Sequence, residues 1–338
     1  MSDDCLTLRP FTLMESRVPR LLLTCLLSLC WLAASAHADW VQAQWNVMGT
    51  RATLEFWPGE QDSRDTVAQI QAEFDRINGQ YSPWREGSEL YQANHTATQA
   101  PMTVSEEFAQ LIETSRHYTT LTDGAFDISF ATVGHLYDYR AGIAPDDDAL
   151  AHAREGVGMD KVTLDEQRRL RLHHPATRID LGGIAKGYAI DRAVAILHQA
   201  GVRHAYISLG GDSYVLGDRR GRAWQVGIRH PRREEAVAIS LPLEDIAVST
   251  SGDYERFFIR DGEHVHHILS PASGKPAGEL VSVTVLAERG IDADALSTSL
   301  FVLGREQGLA LANRLPGVSA ILIDRHGEVF YSEDLGAL

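Results

Sequence analysis

Only three cysteines occur in the 338-residue chain, Cys5, Cys25 and Cys30, and none lies beyond them. From residue 31 onward there is no disulfide, no thiolate metal ligand and no cysteine nucleophile. Positive charge is also scarce. Thirty-one Lys and Arg stand against 46 Asp and Glu, a formal net charge of −15. Such a chain repels polyanions, so it is not a nonspecific binder of nucleic acid or anionic lipid. Any polyphosphate ligand must be held locally, by backbone dipoles, single cations or a metal ion. The apolar run at residues 21–34, LLLTCLLSLCWLAA, is too short to span a bilayer, which takes about 20 residues. Arg17 and Arg20 precede it, and Ala36-His37-Ala38 follows. This order of parts predicts a secretory signal peptide over residues 1–38. Neither Cys25, behind Thr24, nor Cys30, behind Leu29, suits a lipid anchor. The expectation is an exported, periplasmic, soluble protein over residues 39–338. Asp3 and Asp4 are unusual in a signal, and Met14 would open a more ordinary one.

The stretch RIDLGGIAKGYAID, residues 178–191, lacks both common phosphate-loop signatures. Gly187 and Tyr188 follow Lys186 where a Walker loop needs Ser or Thr, and the glycines are not spaced Gly-x-Gly-x-x-Gly. It still has the parts of an anion-binding turn: an apolar run, Gly182-Gly183, a lysine, and a helix start.

Around this turn the chain reads as one α+β unit, a mixed β-sheet core flanked by helices, with no repeat and no linker. Residues 40–57 alternate as a strand or hairpin. Val67, Ile70, Phe74 and Ile77 predict a helix over 64–79, ending at Asn78-Gly79. Ser105 is placed to cap another. Residues 141–150 read as an exposed acidic loop, and residues 188–200 and 294–313 as helices. The second half is rich in short strands, of which VSVTVLA is the clearest.

Three glycine-containing turns follow strand-like runs: Gly182-Gly183, Gly210-Gly211-Asp212 and Ser249-Thr250-Ser251-Gly252. They fit either plain connections or a nucleotide site. In ADALST, Asp294 and Thr298 share one helix face. A carboxylate and a hydroxyl are hard ligands suited to Mg²⁺, although Asp294 also reads as a helix N-cap. His264, His266 and His267 lie close together, but no cysteine or spaced His-Glu pair accompanies them as a zinc site needs. One of them as a proton acceptor is the better reading. Trp84 sits in a loop, where its ring can cap the core or stack on a flat ligand.

Taken together, these segments resemble the exported FAD:protein FMN transferases of the ApbE family. The markers are VMGT (47–50), SPWREGSEL (82–90), DGAFDIS (123–129), IDLGGIAKGYAID (179–191), YISLGGD (206–212), VSTSGDYERFF (248–258), HHILSPASGKP (266–276), SVTVLA (282–287) and ADALST (293–298). The resemblance implies transfer of FMN from FAD to a threonine hydroxyl, with release of AMP and a need for Mg²⁺. The acceptor it implies is a flavin-carrying subunit of a membrane redox complex. It assigns Met48 and Trp84 to the isoalloxazine, and Ala125, Phe126 and Asp127 to the flavin and ribityl region. Asp180 and Lys186 belong to the flavin-binding turn, and Ile268 touches FAD. The Gly183 carbonyl, Asp294 and Thr298 form the metal site, and His267 is the candidate base. Two positions depart from the family: Ser270 stands where Asp is usual, and some relatives carry Glu in place of Lys186. The rival functions are an FAD pyrophosphatase and a non-catalytic FAD-binding or storage protein.

Overall fold

β-Strand propensity and turn chemistry set the order of the first elements. Val41–Val47 (β1) and Thr50–Phe56 (β2) pair antiparallel, with Val47 opposite Thr50. Met48 and Gly49 alone make the turn, both at positive φ (52° and 73°). This is the two-residue hairpin geometry that matches strand twist. The computed structural model of the chain describes residues 39–233 and 236–336. The expected signal peptide, residues 1–38, lies outside the described residues.

The further strands are Met102–Thr103 (β3), Val162–Leu164 (β4), Arg169–Leu172 (β5), Ala205–Leu209 (β6), Asp212–Leu216 (β7), Trp224–Arg229 (β8), Val237–Leu243 (β9), Ile246–Gly252 (β10), Phe257–Arg260 (β11), Glu263–His266 (β12), Leu280–Ala287 (β13), Ser319–Asp324 (β14) and Val329–Tyr331 (β15). The helices are Ser63–Tyr81 (α1), Glu89–Thr96 (α2), Glu106–Leu121 (α3), Ala131–Gly134 (α4), Asp147–Arg154 (α5), Ala185–Gln199 (α6), Gly290–Ala312 (α7) and Glu333–Gly336 (α8). Eight strands form the central sheet in the order β1-β2-β6-β7-β10-β13-β14-β15. The α+β architecture is as expected. Every strand pairing among the described residues is antiparallel, so strand direction is not mixed.

Strand β13, VSVTVLA with its flanking leucine, is buried at every residue, because both faces of the sheet are covered there. On one face lies the main core, which joins Leu54, Phe56, Ile207, Val283 and Val285 to Phe74, Ile190, Leu296 and Leu300 of the helices. On the other, the β8–β9 hairpin lays Trp224 and Val226 over Val215, Val248 and Leu286.

Several elements depart from the sequence reading. Helix α1 runs through Asn78-Gly79 to Tyr81, because Ile77 and Tyr81 are both buried and their packing carries the helix on. The acidic stretch at 141–150 is part helix. Asp146 caps α5 by accepting from the Ala149 N–H at 2.8 Å. Ser249–Gly252 is not a turn but the end of strand β10. Helix α7 begins at Gly290, so Asp294 is inside it and is no N-cap. The Ser105 cap is present, with its hydroxyl accepting from the Phe108 N–H at 3.2 Å.

Candidate functional site

Helices α6 and α7 cross at two glycines. A Cβ on Gly187 would stand 2.2 Å from the Gly290 carbonyl oxygen, and one on Gly290 would stand 2.5 Å from the Gly187 carbonyl oxygen. Only backbone against backbone fits there. The start of α7 has no cap of its own. Asp191 of α6 supplies one, accepting from the Gly290 and Ile291 N–H groups at 2.5 and 3.0 Å. This latch sets where the next turn of α7, carrying Asp294, meets the first turn of α6.

Asp294 is buried and Oδ2 accepts the Gly187 N–H at 2.9 Å. Its Oδ1 is 3.4 Å from the Lys186 ammonium. That ammonium also pairs closely with Asp212, the first residue of β7. Burial and then the Asp212 charge push the Asp294 carboxyl up to about 7, against the pull of Lys186. Burial works against the Lys186 ammonium, but Asp212 and Asp294 outweigh it and hold it protonated beyond its ordinary range. Two carboxylates thus share one cation.

Hydroxyls continue the network. Ser249 donates to Asp212 Oδ1 at 2.6 Å and shares a 2.9 Å hydrogen bond with Ser297. Ser251 bonds Ser297 at 2.9 Å and Thr298 at 3.4 Å. Gly183 reaches the same place from the turn: a Cβ there would be 3.4 Å from Thr298 Oγ1 and 3.2 Å from the Phe126 ring. Gly182 and Gly183 do not have positive φ, so what glycine offers at 183 is close approach to Phe126 and Thr298. Gly183, Asp294 and Thr298 therefore converge. Among the described residues no three His, Cys, Asp or Glu side chains cluster as metal ligands. One carboxylate and one hydroxyl suit a Mg²⁺ that keeps waters and phosphate oxygens for the rest of its shell. The uncompensated carboxylate beside Lys186 fits a second cation.

The turn itself is pinned from outside. Asn94 holds Ile179 at both ends, its amide donating to the carbonyl at 2.9 Å and its oxygen accepting the N–H at 2.8 Å. Asp180 accepts the Gly182 N–H at 2.6 Å, and burial raises its carboxyl above the usual range. Asp127 is committed inward. It accepts from the Ser129 N–H and hydroxyl at 2.8 and 2.6 Å and from the Met159 N–H at 3.1 Å. Its carboxylate ties the turn at Ser129 to Met159, and Ala125 and Phe126 just before it are buried.

The histidines separate by environment. His266 is buried and its Nε2 donates to the Ala277 carbonyl at 2.7 Å, while Nδ1 accepts the Ile268 N–H at 3.3 Å. It is a packed, neutral ring that holds Ile268, itself buried, in place. His264 stacks on Phe257 and lies 3.7 Å from Asp253. His267 follows β12, with its N–H donating to the Arg256 carbonyl at 3.1 Å. Its Nδ1 is enclosed and has no partner among the described residues. Burial, then the Arg256 charge and His266, lower its pKa to about 3. The ring is a free base at neutral pH.

Met48 packs at the hairpin tip against the core. Trp84 is 82 % exposed, so it does not cap the core, and no ring contact joins it to the other candidates. Asp212, Asn94, Asp191 and Arg256 were not singled out from the sequence as site residues. Their signal was there: each except Asn94 lies within a motif already marked, but only the fold joins them to the site.

The same architecture is found in solved ApbE proteins. An ApbE protein from Thermotoga maritima superposes with a TM-score of 0.83 at 31 % identity, covering 88 % of this chain and 99 % of that one. The flavin transferase ApbE of Vibrio cholerae gives 0.79 at 28 %, covering 89 % and 99 %. In sequence, the chain is 31 % identical over 314 residues to a V. cholerae FAD:protein FMN transferase, across 89 % of this chain and 94 % of the relative. The Escherichia coli enzyme of that name is 29 % identical over 88 % of both chains. The ApbE family model matches residues 48–322. The chain belongs to the ApbE family.

Proposed function

We propose that this protein transfers FMN from FAD to a threonine hydroxyl of an acceptor protein, with Mg²⁺ bound, and releases AMP. Its acceptor is a flavin-carrying subunit of a membrane redox complex, and its place of work is the periplasm. The observation that carries the reading is the convergence of Gly183, Asp294 and Thr298 beside Lys186, in a chain whose relatives are named FAD:protein FMN transferases.

The chemistry is a displacement at phosphorus. The threonine oxygen forms a bond to the phosphorus of the FMN half, the bond to the AMP phosphate breaks, and the hydroxyl proton leaves to a base. Such reactions are governed by positioning and charge stabilisation. Mg²⁺ held by Asp294, Thr298 and the Gly183 carbonyl would supply Lewis-acid stabilisation of phosphate charge. Lys186 adds a fixed cation, kept protonated by its two carboxylates. His267 accepts the threonine proton. Its low pKa belongs to the free site, where burial and neighbouring cations disfavour the imidazolium. An anionic pyrophosphate beside it reverses that balance and raises the pKa toward the working range. Phe126 and Gly183 shape the wall against which the dinucleotide would lie.

Incubation with FAD, Mg²⁺ and a threonine-containing acceptor peptide, read by mass spectrometry, is the test. Covalent FMN on the peptide plus AMP is expected. Free FMN plus AMP would make the protein a pyrophosphatase, and unchanged FAD a binding or storage protein.

A further inference from the structure

The site holds two cations with different surroundings. Lys186 is occupied by Asp212 and Asp294. Arg256 is exposed, and its guanidinium makes no hydrogen bond or ion pair among the described residues. The carboxylates of its own segment are taken by other arginines. Asp253 is held by both nitrogens of Arg232 at 2.7 Å, and Glu255 lies 3.6 Å from Arg229. Arg256 thus has no direct ion-pair partner among the described residues, in a protein of net charge −15.

Its position is specific. Its carbonyl accepts the His267 N–H at 3.1 Å, so backbone ties it to the proposed base. Its Nη2 would lie 3.8 Å from a Cβ on Gly49, at the tip that carries Met48. Its charge also reaches Asp180 in the glycine turn. The hairpin tip, the turn and the base therefore surround one guanidinium without a direct ion-pair partner among the described residues.

We propose that Arg256 is a substrate-binding residue that grips the pyrophosphate of the dinucleotide through its planar fork. The inference rests on the FAD reading above and adds a contact to it. A guanidinium matches phosphate oxygens two at a time, where an ammonium acts as a point charge. Its exposure leaves it open to an arriving substrate, and a direct ion-pair partner is what the substrate provides.

The test compares FAD with riboflavin, which shares the ring but has no phosphate. Binding is followed by flavin fluorescence in Mg²⁺ without acceptor, with mass spectrometry confirming intact FAD. The wild-type protein should prefer FAD. Arg256→Gln should weaken FAD by about ten- to a hundredfold, the range for a lost charged hydrogen bond, and leave riboflavin unchanged. Arg256→Lys should fall between the two. A glutamine variant that keeps the wild-type preference overturns the proposal, and so does one that loses both ligands equally, which would mark a structural role. Wild-type protein with no preference for FAD would instead sink the underlying flavin-dinucleotide reading, and the two failures are told apart by which protein fails.

Discussion

The two sides of the site are built differently. The inner wall, where α6 crosses α7, is backbone against backbone at Gly187 and Gly290, and its buried carboxylates all have partners. The outer rim, from Arg256 through β11 and β12 to His267, has a guanidinium and an enclosed Nδ1 that lack direct partners among the described residues. It also exposes Phe257 and Ile259. Trp84, on a separate loop, is likewise exposed. The wall's carboxylates are bonded within it, although Asp212 and Asp294 share the single Lys186 ammonium, whereas the rim has polar groups without a partner among the described residues. This is the arrangement expected when one side fixes the catalytic geometry and the other receives substrates.

The largest effect should come from breaking the wall. Gly187→Ala places a methyl group 2.2 Å from the Gly290 oxygen and should cost about 3 kcal/mol or more in stability. A denaturation midpoint equal to wild type would show the crossing to be soft. Next, Asp294→Asn should slow transfer by about a thousandfold or more, matching several kcal/mol of lost charge stabilisation. It should also abolish any Mg²⁺-dependent rise in melting temperature. Retained turnover and retained metal response would remove Asp294 from the metal site. On the rim, His267→Ala should slow transfer by roughly 10²–10⁴-fold while FAD binding holds. Loss of both would make the residue structural.

The comparison also has a pH signature. His267 has a folded pKa lowered from 6.5 to about 3, so the unfolded chain binds its proton first and stability falls as pH drops through that window. Asp191 on the wall has a pKa raised from 3.8 to about 6, chiefly by burial. The folded chain holds that proton more tightly, so this contribution is full below 3.8 and lost as pH rises through 6. His267→Gln and Asp191→Asn should therefore alter the slope of melting temperature against pH in opposite senses. Parallel changes would refute the assignment of both groups. The smallest effect belongs to Trp84→Ala. Stability should move by no more than about 0.5 kcal/mol. Flavin binding should weaken by roughly 0.5–1.5 kcal/mol if the ring stacks on it.

Much of the fold was legible locally. The strand-forming stretch at 40–57, the Ser105 cap and the charge-free β13 depend on neighbours a few residues apart, and their signals are strong. Boundaries failed where distant packing overruled local signals. Tyr81 carries α1 past a glycine stop, and Asp191 caps α7 from another helix, so α7 begins before the residue that looked like its cap. Nor did Asp127 read as a committed turn-forming carboxylate, because its third partner, Met159, lies 32 residues away.

Residue type and order alone determined the chemistry on offer: hard oxygen ligands at Asp294 and Thr298, a glycine turn with Lys186, neighbouring histidines, and no thiol beyond residue 30. The tertiary structure decided which of these meet. It brings Gly183 against Thr298 and Lys186 between two carboxylates. It gives His266 a carbonyl and leaves His267 without a partner at Nδ1. Spacing along a chain specifies neighbours within an element, but burial and long-range contact set which charges are paired, and that pairing separates a structural group from a reactive one.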